Sequence, residues 1–310
     1  MTNLLYKASI VTTPTSYGVG VLNSIKPASG NADFDFTRTS SATRVNPDYL
    51  IETVSINSAN LVQNGNFSEL SSQLVTNGNF ETDSDWVKQA GWTISGGKAN
   101  CDGISGGAYI YQNIGSATIG KTYKIQLDVS NYTSGTLVAA YGGTSAVGIT
   151  SNGSYTFYVK ATSTDANTSY LSYNFIGSID NVSVKQVDPN DNWTLGTGWS
   201  FGTDKLERTA QSGSTSSTQS FSFNAGVKYK ISYNLNISSG SFKIRISGGT
   251  LIDTPVRTAS GIYTETITAN SGNNVINLRA NDAAFTGSIT NVSLIEIQEN
   301  GVPRLDYTNG

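Results

Sequence analysis

The sequence predicts an all-β protein, two tandem jelly-roll-type β-sandwiches preceded by an extended N-terminal arm. Three observations carry that expectation: a turn-rich composition, a period of two in the apolar residues, and an internal duplication. Of 310 residues only 13% are charged, while 32 are glycine and 10% aromatic. Such a composition builds strands and tight turns. In YKIQLDVS the residues Tyr123, Ile125, Leu127 and Val129 fall on one face and Lys124, Gln126, Asp128 and Ser130 on the other. That spacing gives a strand with one buried and one wet face. The same alternation recurs at Tyr229, Ile231, Tyr233 and Leu235, at Phe242, Ile244 and Ile246, and at Ile179, Val182 and Val184 with a slip near Asn181. No segment sustains helical periodicity.

The duplication sets the plan. GKTYKIQLDVSN from Gly120 matches GVKYKISYNLNI from Gly226, and FIGSIDNVSVKQV from Phe175 matches FTGSITNVSLIEI from Phe285. AGWTISGGKAN from Ala90 matches TGWSFGTDKLE from Thr197, and SNGSYTFYV from Ser151 matches ASGIYTETI from Ala259, in the same order. Ordered matches at one offset mean two copies of one domain. The expected divisions are an arm over 1–73, copy one over 74–187, copy two over 192–297 and a tail over 298–310. DPND, Asp188 to Asp191, links the copies, and Pro189 interrupts any ladder there. Within the arm, LVQNGNF from Leu61 is echoed by LVTNGNF from Leu74. The echo suggests two domain-opening strands that compete for one edge or serve a neighbouring chain. The arm itself is too weakly apolar to close a core and is expected to order against other parts or other chains.

Composition also removes function classes. With no histidine and one cysteine, the chain cannot form a His-based triad, a Cys/His zinc site or an internal disulfide. Cys101, in GKANCDG, reads as a small neutral strand residue. The glutamates and aspartates are scattered singly apart from Glu81, Asp83 and Asp85, which cluster in a turn read as solvated or ion-binding rather than as the paired carboxylates of glycoside hydrolysis, so no enzyme is expected. A net charge of -3 offers no basic field for nucleic acid. No apolar run is long enough for a membrane helix, and the first residues lack the pattern of a secretory leader.

LVTNGNFETDSDW, GWTISGGKA, GKTYKIQLDVSNY and FIGSIDNVSVKQV resemble the strands of carbohydrate-binding-module-like jelly rolls. YKASIVTTPTSYGVGVLNSIKP, DFDFTRTSSATRVN and NGVPRLDYTNG look like segments of bacteriophage virion proteins, particularly head or tail fibres. The resemblance implies a non-enzymatic virion fibre or decoration protein, assembled in the host cytoplasm, that contacts host-surface glycans and other virion proteins. A homo-oligomer is expected, a trimer first. The alternative is a glycan-binding module of a secreted polysaccharide-degrading or adhesive bacterial protein.

Glycan binding needs aromatic platforms for the apolar faces of sugar rings. Trp86, Tyr109 and Tyr111 are the candidates, all in copy one. Trp92 and Trp199 hold equivalent places in the two copies and read as core. Copy two carries Ser and Thr where copy one has Tyr109 and Tyr111. The resemblance further implies a structural Ca²⁺ in copy one alone, held by Asn79, Glu81 and Asp180; Thr290 replaces Asp180 in copy two. Hard oxygen ligands suit that ion.

Overall fold

The computed structural model describes residues 15–18, 21–24, 42–45, 51–54, 56–104 and 107–298, and every regular element among them is a β-strand. Two compact units divide the chain, Met1–Ala59 with Ile295–Gly310, and Asn60–Leu294.

In the first unit, β1 (Thr15–Gly18) and β2 (Val21–Ser24) form one antiparallel hairpin, and β3 (Ala42–Val45) and β4 (Ile51–Val54) another. The short β5 (Ile56–Asn57) pairs with Ile297 and Gln298. Part of the segment expected as an extended arm, with strand-like pieces around Pro47 and Asp48, holds antiparallel strand pairs. The other residues of 1–55, and the tail beyond Gln298, lie outside the described residues.

The second unit begins with β6 (Val87–Lys88), β7 (Trp92–Ile94), β8 (Ala99–Asp102), β9 (Ala108–Asn113), β10 (Thr122–Tyr141), β11 (Thr144–Ser145), β12 (Gly153–Lys160) and β13 (Asn167–Gln186). Strands β10 and β13 run 20 residues each and pass through two sheet regions. Thr122 to Ser130 pairs with β12 and with Ser178 to Gln186, whereas Thr136 to Ala140 pairs with Ser169 to Tyr173. The register breaks between these halves, at Ser130, Ser134 and Thr136. Left-handed backbone at Asn131 (φ 54°), Gly135 (φ 79°) and Asn174 (φ 53°) turns the pair there. A side chain at Gly135 would run into the Asn174 backbone, so only glycine fits that crossing.

A second strand set follows: β14 (Trp199–Gly202), β15 (Lys205–Arg208), β16 (Ser216–Ser220), β17 (Lys228–Ser239), β18 (Phe242–Ser247), β19 (Ile252–Asp253), β20 (Gly261–Thr268), β21 (Val275–Ala280) and β22 (Thr286–Gln298). Here the sheets are separate, ordered β14-β15-β22-β17-β20 and β16-β21-β18-β19. The first set has the same neighbours: β7-β8, then the second half of β13, the first half of β10, and β12; and β9, the first half of β13, the second half of β10, and β11. The sets differ in continuity. Gly240 (φ 73°) separates β17 from β18, where β10 runs on.

The alternation read from sequence packs two cores. Tyr123, Ile125, Leu127, Val129, Ile179, Val182 and Val184 are buried in one, with Trp92 and Cys101. Tyr229, Ile231, Tyr233, Leu235, Phe242, Ile244 and Ile246 are buried in the other, with Trp199. The slip near Asn181 is a β-bulge, with Asn181 in left-handed backbone (φ 51°).

The second core has an unexpected beginning. It includes Val62 and Phe67, which precede the whole of the first core, whose buried members run from Val75 to Val184. The echo LVQNGNF and LVTNGNF thus marks one opening segment for each core, and neither competes with the other. The match extends to single bonds. Trp86 Nε1 donates to the Asn77 carbonyl at 3.0 Å, and Trp193 Nε1 to the Asn64 carbonyl at 3.1 Å. Val182 N–H donates to Gly78 O, and Val292 N–H to Gly65 O, both at 2.8 Å. Gln112 exchanges two bonds with the Thr76 backbone, and Gln219 exchanges two with Gln63. Phe80 packs on Trp86 at 5.1 Å and Phe67 on Trp193 at 5.3 Å. The arm boundary expected at 73 therefore moves to Ala59, and the first strand set is inserted between the opening segment of the second core and its remainder.

Both chain crossings of this insertion meet at Asp188, which is buried. Its carboxylate accepts from Asn64 Nδ2 (2.9 Å), Asn192 Nδ2 (2.9 Å) and the Trp193 N–H (2.8 Å), while its own N–H donates to Glu69 O. A buried carboxylate is tolerable when its lone pairs are filled in this way.

Candidate functional site

On the first strand set, the inward residues of β9 are Ala108, Ile110 and Gln112, so Tyr109 and Tyr111 point outward. Pairing extends their rows across the sheet. Val87, Tyr111, Ser169, Ala140 and Ser145 lie in register on β6, β9, β13, β10 and β11. Tyr109, Leu171 and Val138 form the next row, and Tyr173 with Thr136 the one beyond. Cross-strand and same-strand neighbours on one face stand about 5–7 Å apart. The outcome is an open aromatic and aliphatic face. Tyr109 is 38% exposed, Val87 50% and Tyr173 52%. Ser169 and Thr136 supply hydroxyls among the rings.

This arrangement suits a planar or ring-shaped ligand laid along the sheet, with apolar faces on the tyrosines and polar edges toward Ser169 and Thr136. Tyr173 and Leu171 escaped the sequence reading. The period of two through Ser169, Leu171 and Tyr173 was visible, but only register places them beside Tyr109.

Trp86 needs correction. It is only 6% exposed, ringed by Phe80 and Tyr170, with its N–H bonded to Asn77 O. Its faces are covered, so it packs the core and offers no platform. The polar neighbours in SDWVK lie in the loop around it and said nothing of what covers the ring.

Asn79 and Glu81 are exposed in the segment that follows Gly78. Gly78 O accepts from Val182, two residues past Asp180, so all three expected ion ligands belong to one neighbourhood. Asp180 Oδ1 accepts from the Asn181 N–H. Among the described residues no three His, Cys, Asp or Glu side chains gather as a metal cluster. In the second set Ser68 stands in place of Glu81, and Thr290 Oγ1 donates to Asp204 O.

The same outward rows in the second set have different chemistry. Thr218, Asn277, Arg245 and Asp253 lie in register where the first set has Tyr111, Ser169, Ala140 and Ser145. Ser216, Arg279 and Lys243 replace Tyr109, Leu171 and Val138. One framework thus presents an aromatic face and a charged face.

No protein-family model and no curated protein matches the chain. Solved structures match the chain only at low TM-score and low identity. Allantoicase from Saccharomyces cerevisiae is 8% identical, with a TM-score of 0.29 over 77% of this chain and 92% of its own. A tandem CBM22 pair from Paenibacillus barcinonensis Xyn10C is 12% identical, with a TM-score of 0.24 over 78% and 94%. An archaeal virus protein with a triple jelly roll is 12% identical, with a TM-score of 0.20 over 69% and 59%.

Proposed function

We propose that the protein is a non-enzymatic glycan-binding display protein built from two jelly-roll-type sandwiches, one nested in the other, and that it serves in a phage virion as a fibre or decoration. The observation that carries the binding reading is the outward face with Tyr109, Tyr111 and Tyr173. The virion placement is supported by the resemblance of the N-terminal and PRLDY segments to phage fibres. A trimeric assembly belongs to the same proposal, since repeated weak sites gain effective concentration.

Each aromatic contact contributes about 0.5–1.5 kcal/mol. Losing two rings should therefore weaken saccharide binding about tenfold or more. We expect the full chain to bind neutral saccharides on a glycan array and the Tyr109→Ala/Tyr173→Ala variant to lose that signal with its melting curve unchanged. Equal binding by the variant would remove the site, and polysaccharide cleavage by the wild type would overturn the non-enzymatic reading.

A structural Ca²⁺ at Asn79, Glu81 and Asp180 is also proposed, on the strength of two carboxylates and an amide carried by neighbouring segments. An ion that binds only the folded state stabilises it, by about 2.7 kcal/mol at a hundredfold excess over Kd. Millimolar Ca²⁺ should raise the melting temperature of the full chain relative to chelator, and Asp180→Asn should abolish the rise. Coincident curves for the wild type would exclude the ion.

A further inference from the structure

The charged face of the second strand set places three cations, Lys243, Arg245 and Arg279, with one carboxylate, Asp253. Lys243 and Arg279 stand directly opposite one another on β18 and β21, and like charges placed so are destabilising. Asp253 answers part of this. It accepts two bonds from Arg245 (2.6 and 2.8 Å) and one from Lys243 (2.8 Å). Those bonds, Arg245 foremost, hold its carboxyl down to about 2, so it stays anionic under all ordinary conditions. Arg279 receives nothing from it. Among the described residues the Arg279 guanidinium has no hydrogen bond and no ion pair, although it is half-buried in the sheet face.

Polar groups surround it. Ser216 is its in-register neighbour on β16 and Thr218 lies two positions along; neither hydroxyl has a partner among the described residues. Asn277 donates through Nδ2 to Arg245 O and Ser247 Oγ, which leaves its carbonyl oxygen for a ligand. The four charged groups of the face, Lys243, Arg245, Arg279 and Asp253, sum to a positive patch on a chain whose net charge is -3.

We propose that this face binds the acidic groups of an anionic polysaccharide, with Arg279 as the planar fork for a carboxylate or sulfate ester, Lys243 as the second charge, and Ser216, Thr218 and Asn277 meeting the sugar hydroxyls. A guanidinium presents paired donors that match such oxyanions. The row of hydroxyl and amide groups beside it favours a saccharide over a bare anion. The idea extends the display reading to a second ligand class and rests on this face alone. It therefore stands or falls separately from the tyrosine site.

The test uses the full chain in affinity electrophoresis through gels containing dextran sulfate, polygalacturonate or neutral dextran, with duplex DNA as a competitor of different class. Wild type should be retarded by one or both acidic polymers, the sulfated or carboxylated arm naming the group preferred, and the retardation should fall with salt. Arg279→Gln/Lys243→Gln should weaken the interaction about tenfold, as for lost charge-assisted bonds, while Tyr109→Ala/Tyr173→Ala keeps it. Melting curves confirm that these surface variants fold. The proposal is overturned if the Gln variant is retarded like wild type, if neither acidic polymer retards wild type, or if DNA competes as strongly per charge. If neutral saccharides fail to bind while the acidic polymer still depends on Arg279, the tyrosine site is wrong and this one holds.

Discussion

Gly65→Ala and Gly78→Ala are each expected to destabilise the protein by about 3 kcal/mol or more, a large effect for one methyl group. A Cβ at Gly65 would sit well inside van der Waals contact with Val292 O, and one at Gly78 would meet Val182 O in the same way. Backbone carbonyls of paired strands cannot swing aside as a side chain can. Each glycine also lies in a tight turn: the Phe67 N–H donates to Asn64 O and the Phe80 N–H to Asn77 O. Asn64, Phe67, Asn77 and Phe80 all have φ between 46° and 58°. Phenylalanine is rare in that region, and burial of both rings to 2% exposure or less is what holds it there. Moving either strand would release the ring as well. Chemical denaturation should show both losses, whereas Gly115→Ala, where a Cβ meets nothing, should cost only the strain of its backbone angle.

Arg208→Ala should cost about 3–5 kcal/mol. Arg208 is 1% exposed, yet among the described residues its guanidinium makes no salt bridge. It donates instead to Phe285 O (2.6 Å), Gly213 O (3.0 Å) and Thr215 Oγ1 (3.1 Å). Burial lowers its pKa from the ordinary arginine value. Alanine would leave a cavity and take its donor from the Phe285 carbonyl in the interior. Lysine keeps the charge but cannot reach several carbonyls at diverging angles, so Arg208→Lys should recover little of the loss by calorimetry. The equivalent place in the first core is Cys101, opposite Trp92 as Arg208 is opposite Trp199.

How far the sequence exposed these features depended on whether a feature is local. The period of two in β10 and β17 named the buried faces directly, and the irregular spacing at Asn181 marked a real bulge. Trp92 and Trp199 were legible as core because they hold equivalent places in the two copies, and Cys101 as a small neutral strand residue. Trp86 was not, since its cover comes from Tyr170 and from Phe80 across a turn. Tyr173 was missed for a related reason: a face spanning three strands is set by register, and register depends on bulges that alternation alone does not place. The nested order was half visible. The NGNF echo announced two opening segments, but comparing contiguous stretches gives the first one to the arm. Its connection with a core more than a hundred residues downstream shows in contacts such as the bonds of Gly65 to Val292, of Trp193 to Asn64 and of Gln219 to Gln63.

The nesting is tested most directly by hydrogen exchange, followed by mass spectrometry, on the full chain carrying Gly65→Ala. If Leu61–Phe67 opens the second core, protection should fall in peptides covering β17, β21 and β22 while β10 and β13 keep theirs, and Gly78→Ala should give the reverse pattern. Loss of protection confined to residues before 74, or centred on β10 and β13 for Gly65→Ala, would contradict the account.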